Sequence, residues 1–290
     1  MKRVALINDL SGFGRCALGV ALPIVSAFGL ECCMLPTAIL SNHTGFDKYS
    51  FVDFTEHMGE FIEQWRAHQL EIDTVYTGFL GSARQIDYAL ELFELAPGAL
   101  RLVDPVMGDG GKAYSTYTKE LVASMGGLVR HADVITPNFT ELCMLCGLDY
   151  NSRPFTADTV LKSIERLCRD GPQYVALTGV TCDEVDFGES ESLANFLYSA
   201  KAGRHKTVIN QRVPVSYCGT GDLFASVLCG SMTRGDDFFD AADLAVRFCE
   251  RCTKITWQNG GTQLYGIQFE GQIINLSKGE FNSENQRERG

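Results

Sequence analysis

No run of about 20 apolar residues occurs in this 290-residue chain, so a helix crossing a bilayer is not expected. The N-terminal MKRVALINDLSG reaches a polar turn after five apolar residues, too soon for a signal peptide, and a cytoplasmic protein is expected. Basic residues are short: 25 Lys and Arg stand against 36 Asp and Glu, a formal charge of −11. That balance argues against nucleic acid or an anionic membrane as main partner. An anionic ligand would have to be held by backbone amides, a metal ion and a few bases. The chain also lacks any GxxxxGK[ST], so a P-loop is excluded.

Repeats, low-complexity linkers and clear domain boundaries are missing too. One domain over residues 1–276 with a polar tail at 277–290 is the expectation. Apolar residues at 45% and charged residues at 21% allow a large core. Cysteine is plentiful, but 11 is an odd number and no signal sequence accompanies it, which favours free thiols. Two CxxC spacings, Cys143/Cys146 and Cys249/Cys252, fall in helical segments, where core packing is the simpler reading than a metal site.

Short β-rich runs alternate with helical patterns. Strands are expected at 3–8, 31–40, 74–80, 100–106, 133–138 and 174–179, with helices at 14–29, 53–69, 82–96, 118–131 and 156–169 between them. Such alternation predicts an α/β fold, a three-layer α/β/α sandwich around a mostly parallel sheet. After residue 185 the pattern becomes two β-rich runs around a Lys-Ala-Gly turn, an antiparallel edge hairpin. Helices at 220–233 and 237–256 follow.

Parallel sheets bind ligands beyond the carboxyl ends of their strands, and those ends carry the small and acidic residues here. Gly12-Phe13-Gly14-Arg15-Cys16-Ala17 satisfies a dinucleotide fingerprint, with Glu31 about 20 residues on. However, Asn8 to Ser11 intervene before the glycines and Glu31 opens the second strand, so an ordinary close turn is preferred. CGTGDLFASVL says more. Successive amides of Gly219, Thr220 and Gly221 at a helix start form an anion hole. Asp222 beside them suits the helix dipole, for roughly 0.3–1 kcal/mol. It also suits phosphoryl transfer, where a carboxylate takes the proton of the attacking hydroxyl. Such chemistry needs a divalent metal, for which Glu141, Asp104 and Asp109 are candidate ligands, against capping by Asn138 and Glu141 and turn formation by the aspartates. Lys112, Lys206 and Arg212 are candidate positive charges.

Five segments in order, SNHTGF (41–46), TGFLGS (77–82), DPVMGDGGK (104–112), TPNFTEL (136–142) and GTGDLFAS (219–226), resemble the motifs of the pyridoxal kinase family of ribokinase-type kinases, over about residues 3–260. The resemblance implies an ATP-dependent kinase acting on the 5′-hydroxymethyl group of a vitamin B6 compound, with Mg2+ and a homodimer. It implies that Asp222 is the base and that Gly219, Thr220 and Gly221 supply the anion hole. Ser11 and Thr44 match positions at the pyridine ring. Asp104, Thr136, Asn138, Glu141 and Thr178 match nucleotide- or metal-side positions. Some relatives carry lysine where Thr178 stands, and others a cysteine in the loop that here reads DGGKAYST, leaving the roles of Lys112 and Tyr114 open. A hydroxymethylpyrimidine kinase of the same superfamily and a non-catalytic B6-binding protein are the alternatives.

Overall fold

The computed structural model describes residues 1–114 and 117–278. Most of the tail expected at 277–290, from residue 279 on, lies outside them, as do Ser115 and Thr116 of the DGGKAYST loop. The chain begins β1 (Arg3–Ser11), α1 (Ala17–Ala27), β2 (Glu31–Leu40), β3 (Phe51–Asp53), α2 (Thr55–Ala67), β4 (Thr74–Thr77), α3 (Ala83–Leu95) and β5 (Leu100–Val103). A small hairpin, β6 (Gly108–Asp109) and β7 (Lys112–Ala113), precedes α4 (Lys119–Arg130), β8 (Val134–Ile135) and α5 (Phe139–Cys146). Then come β9 (Phe155–Thr156), α6 (Ala157–Cys168), β10 (Tyr174–Val180), β11 (Val185–Asp186), β12 (Ser192–Ser199) and β13 (Arg204–Gln211). The helices α7 (Thr220–Arg234), α8 (Phe238–Gln258) and α9 (Ile273–Lys278) close the described chain.

Nine strands form one sheet in the order β13-β12-β10-β8-β5-β4-β1-β2-β3. The run from β10 to β2 is parallel, while β3 on one edge and β12 and β13 on the other are antiparallel. Side chains alternate across a strand, so each strand feeds two cores. Val4, Leu6, Tyr76, Leu102 and Val134 face α1, α7 and α8; Ala5, Ile7, Val75, Val103 and Ile135 face α2 to α6. The three layers follow from that alternation. Leu6 is 1% exposed, so truncating it to Ala removes packing on the order of 2–5 kcal/mol.

Several boundaries differ from the sequence expectation: β4, β5 and β8 end at Thr77, Val103 and Ile135 rather than at 80, 106 and 138, and further differences lie near β1 and β2. The 53–69 helix gives up its start: Phe51 to Asp53 pair with Leu40 to Ala38 as an edge strand, and the helix begins at Thr55. The 14–29 helix begins only at Ala17 and ends at Ala27. In compensation β1 continues through Asn8, Asp9 and Leu10 to Ser11. Its pairing with β2 shifts register between Asn8 and Leu10, where Asn8 lies opposite Pro36. Proline cannot donate to the ladder, so an irregularity belongs there. The order of neighbours reverses at β1, which pairs with β2 on one side and β4 on the other. Sheets of this kind open a crevice at such a switch point, beyond the carboxyl ends of the strands.

Candidate active site

The head of α7 stands at that crevice. Gly219 caps the helix in the left-handed region with φ 78°. A Cβ there would overlap the Arg15 carbonyl oxygen and lie 3.0 Å from its carbon, so only glycine lets the α7 head dock on the loop before α1. Glycine at 219 thus permits a close approach between two stretches of backbone. Gly221 has nothing within 4 Å of the equivalent position and is exposed; it is the glycine that leaves room. The Thr220 hydroxyl donates to Tyr217 O at 2.9 Å and fixes the turn. The Cys16 thiol, hydrogen-bonded to the Cys218 sulfur, lowers the pKa of Cys218, with a smaller contribution from the Gly219 amide. The amides of Thr220 and Gly221, with no carbonyl four residues earlier inside the helix, remain for an anion.

Asp222 follows in the first turn. Burial raises its pKa, opposed by the Ala17 backbone N–H and by the side chain of Asn8. Asn8 Nδ2 donates to Asp222 Oδ1 at 3.3 Å across 214 residues of sequence. Ala17 reaches its position with φ 48°, a conformation costly for a residue with a Cβ. Asp9 lies beside them, its carboxyl pushed up to about 7 by burial and then by the Asp222 charge. Ser11 is buried and its hydroxyl donates to Asp9 Oδ2 at 3.1 Å. Ser11 therefore stands next to Asp9 at the end of β1, an acid that the motifs did not single out.

A second acidic group sits further along the strand ends. The continuing ladder runs Gly78 N to Ile7 O, Asp104 N to Thr77 O and Thr136 N to Val103 O, at 2.8, 2.8 and 3.3 Å. It brings β1, β4, β5 and β8 to one level. The Thr136 hydroxyl donates to Asp104 Oδ1 at 3.0 Å. Burial, then the Asp222 charge, pushes Asp104 up to about 8. Asn138 and Glu141 form a reciprocal cap on α5: Glu141 N donates to Asn138 Oδ1 at 2.9 Å and Asn138 N to Glu141 Oε2 at 2.8 Å. Glu141 Oε1 also accepts Met107 N at 3.0 Å. Burial, then Asp104, raises the Glu141 pKa well above the usual range.

Thr44 is exposed on the loop after β2. Its neighbour His43 is held on both nitrogens. Gly45 N donates to Nδ1 at 3.1 Å, so Nε2 carries the proton and donates to Leu264 O at 2.7 Å. The chain around 263–267 ties three site loops together: Arg15 N donates to Tyr265 O at 3.2 Å, Cys218 N to Gln263 O at 3.3 Å and Ile267 N to Cys218 O at 3.1 Å. The sequence assigns residues from 265 on no role; Tyr265 and Ile267 brace the site. Thr178 is half-buried in β10, with Gly179 N donating to Asn195 Oδ1 at 3.1 Å.

Other candidates lie apart, except Lys112, whose hairpin is bonded to the head of α5 through Asn138 Nδ2 to Gly108 O at 2.8 Å and Gly111 N to Thr140 Oγ1 at 2.9 Å. Glu31 pairs with Arg3 at 2.7 Å, at the strand ends opposite Gly12 and Gly14, so the dinucleotide fingerprint is not assembled. Lys206 pairs with Asp243 at 3.0 Å on the edge hairpin, Arg212 is exposed just beyond that hairpin's last strand, and Lys112 is exposed on β7. Cys143, Cys249 and Cys252 are core residues.

A carboxylate and free amides at one helix head, a second pair of buried acids, and no P-loop describe a small-molecule kinase that works by a geometry of its own. Residues 23–265 match the family described as phosphomethylpyrimidine kinase. A Bordetella avium pyridoxine/pyridoxal/pyridoxamine kinase is 28% identical over 84% of this chain and 82% of its own. A Bacteroides thetaiotaomicron structure, provisionally named a phosphomethylpyrimidine kinase and crystallised with pyridoxal, is 36% identical, with TM-score 0.89 over 95% of each chain. Pyridoxal kinase from Lactobacillus plantarum is 26% identical, with TM-score 0.87 over 97% of this chain and 99% of its own. The chain belongs to the pyridoxal kinase family of the ribokinase-type superfamily.

Proposed function

We propose that this chain transfers the γ-phosphoryl group of ATP to the 5′-hydroxymethyl group of a vitamin B6 compound, giving the 5′-phosphate and ADP. The observation that carries the reading is Asp222 in the first turn of α7, beside the amides of Thr220 and Gly221 and held by Asn8 and Ala17. Asp222 takes the proton of the attacking hydroxyl as the oxygen engages phosphorus. Thr220 and Gly221 hold the moving phosphoryl group, and Gly219 sets their direction. Thr44 meets the ring from the exposed loop, while Ser11 contributes through the Asp9 carboxyl it bonds. Thr136, Asn138 and Thr178 line the nucleotide side.

Asp104 and Glu141 fit Mg2+: both are hard oxygen donors, and the Asp104 carboxyl is repelled by Asp222 and in turn repels Glu141 when no cation stands between them. Among the described residues no three His, Cys, Asp or Glu side chains form a metal cage. Mg2+ does not ask for one, since it is bound through one or two carboxylates, waters and substrate phosphates. When bound, it neutralises charge on the phosphate oxygens.

One kinase domain over residues 1–276, in the cytoplasm and as a homodimer, completes the proposal. Leu10, Ile39 and Val52 support the dimer: they lie in one row across β1, β2 and β3 and are 39%, 39% and 57% exposed. Phosphorylation of a hydroxymethylpyrimidine is the second reading, favoured by the description of the matched family. Against it stands the 36% identical relative that carries pyridoxal under the pyrimidine name. Measuring ADP release with pyridoxal, pyridoxamine, pyridoxine and the pyrimidine alcohol tests the choice; turnover of the pyrimidine alone overturns it.

A further inference from the structure

Asn8 is 2% exposed and has both polar atoms of its side chain in use. Its Oδ1 accepts two backbone hydrogens, from Asp9 N at 2.9 Å and Phe79 N at 2.8 Å. Two N–H groups aimed at one atom identify that atom as the oxygen, so Nδ2 is the end that faces Asp222 at 3.3 Å. The side chain is also walled in. A Cβ on Gly78 would overlap the amide, with Oδ1 at 2.7 Å. Asn8 lies at the register shift of β1, where an irregular strand re-aims a side chain toward the crevice.

We propose that Asn8 is a positioning residue for the base: it takes its own place from the backbone of β1 and of the loop after β4 and passes that order to the Asp222 carboxylate. The assignment rests on the reading of Asp222 as base. Few other residues could do it. Aspartate would accept the same two hydrogens but present a second anion to Asp222 and Asp9. Threonine or serine could not span both the loop amides and the carboxylate. The Ala17 N–H supplies a second donor from the opposite chain segment, so the carboxylate is held between β1 and the start of α1. Without the Asn8 donor it would be free to turn about its own bonds, and the hydroxyl would meet a base in the right orientation only part of the time.

Asn8→Asp, which keeps both acceptor bonds, should lower kcat about ten- to a hundredfold, the range of a lost hydrogen bond to a charged group. KM for pyridoxal and for ATP should stay within about twofold, because no substrate contact is removed. Asn8→Ser, which retracts the donor and adds no charge, should show the same split in the purified full chain. The decisive measurement combines each variant with Asp222→Asn. An effect that runs through Asp222 should vanish in that background, whereas a general loosening of the site would lower the residual rate again. Melting temperatures of both single variants near that of the parent protein would confirm that the fold is kept. If Asp222→Asn leaves turnover unchanged, the base reading falls and takes this proposal with it. If Asp222→Asn is impaired while the Asn8 variants keep full kcat, or lower the Asp222→Asn rate as much as the parent rate, the positioning role alone falls.

Discussion

Gly219 rests on the carbonyl of Arg15, so close that no side chain fits between the α7 head and the loop before α1. The contact sets the distance between Asp222 and Ala17, whose N–H the carboxylate accepts. Gly219→Ala should therefore cost more than conformational strain. A left-handed alanine adds about 1–2 kcal/mol, and forced separation of two packed segments adds about 1–3 kcal/mol. The expected result is a protein with a lower melting temperature and little turnover. Gly221→Ala, where space is open, should keep the melting temperature and lose activity only by crowding the phosphoryl group. Equal melting temperatures for both variants would contradict the packing argument.

Asp222→Asn tests the chemistry. The amide is the same size and still accepts the Ala17 N–H, but it cannot take a proton. A fall in kcat of about 10²- to 10⁴-fold is expected, with pyridoxal binding, read by calorimetry, largely kept. Unchanged turnover would remove Asp222 from the mechanism.

Glu141 has two jobs that one substitution separates. Its oxygens accept Asn138 N and Met107 N, so Glu141→Gln must turn an NH2 toward one backbone donor. Loss of the cap should cost about 1 kcal/mol of stability. If Glu141 also helps to hold Mg2+, the concentration needed for half-maximal rate should rise severalfold. A lower melting temperature with an unaltered magnesium titration would leave Glu141 as a cap only.

The layers were legible in the sequence because alternating apolar runs are a local property. The edge hairpin at β12 and β13 was readable from its Lys-Ala-Gly turn. Strand β3 was not: it has three residues, all exposed, and exists because β2 offers it an edge. Asp222, Asp104, Thr136 and Glu141 were visible through motifs that keep the same residues at the same spacing. Asn8, Asp9 and His43 were not, because what each does depends on partners far away in the chain. Asn8 meets Asp222 over 214 residues and His43 meets Leu264 over 221. In the sequence Asn8 is an obstacle to a glycine fingerprint, with β1 ending there; only the continued strand shows that it points at Asp222.

The acids of the site also predict how stability depends on pH. In the unfolded chain an aspartate titrates near 4. In the folded protein burial and then the Asp222 charge raise Asp9 to about 7 and Asp104 to about 8. The folded state therefore binds more protons than the unfolded one between about pH 4 and pH 8, and its stability falls as pH rises through that window. The protein in EDTA should melt at a lower temperature at pH 8 than at pH 5.5. Adding Mg2+ with ADP at pH 8 should recover most of the loss, since a cation among the carboxylates favours their charged forms. Asp104→Asn removes one of the titrating groups, so the decline across the window should become shallower. A melting temperature that rises from pH 5.5 to pH 8 in EDTA, or a slope that Asp104→Asn leaves unaltered, would show that these carboxyls do not carry the raised proton affinity assigned to them.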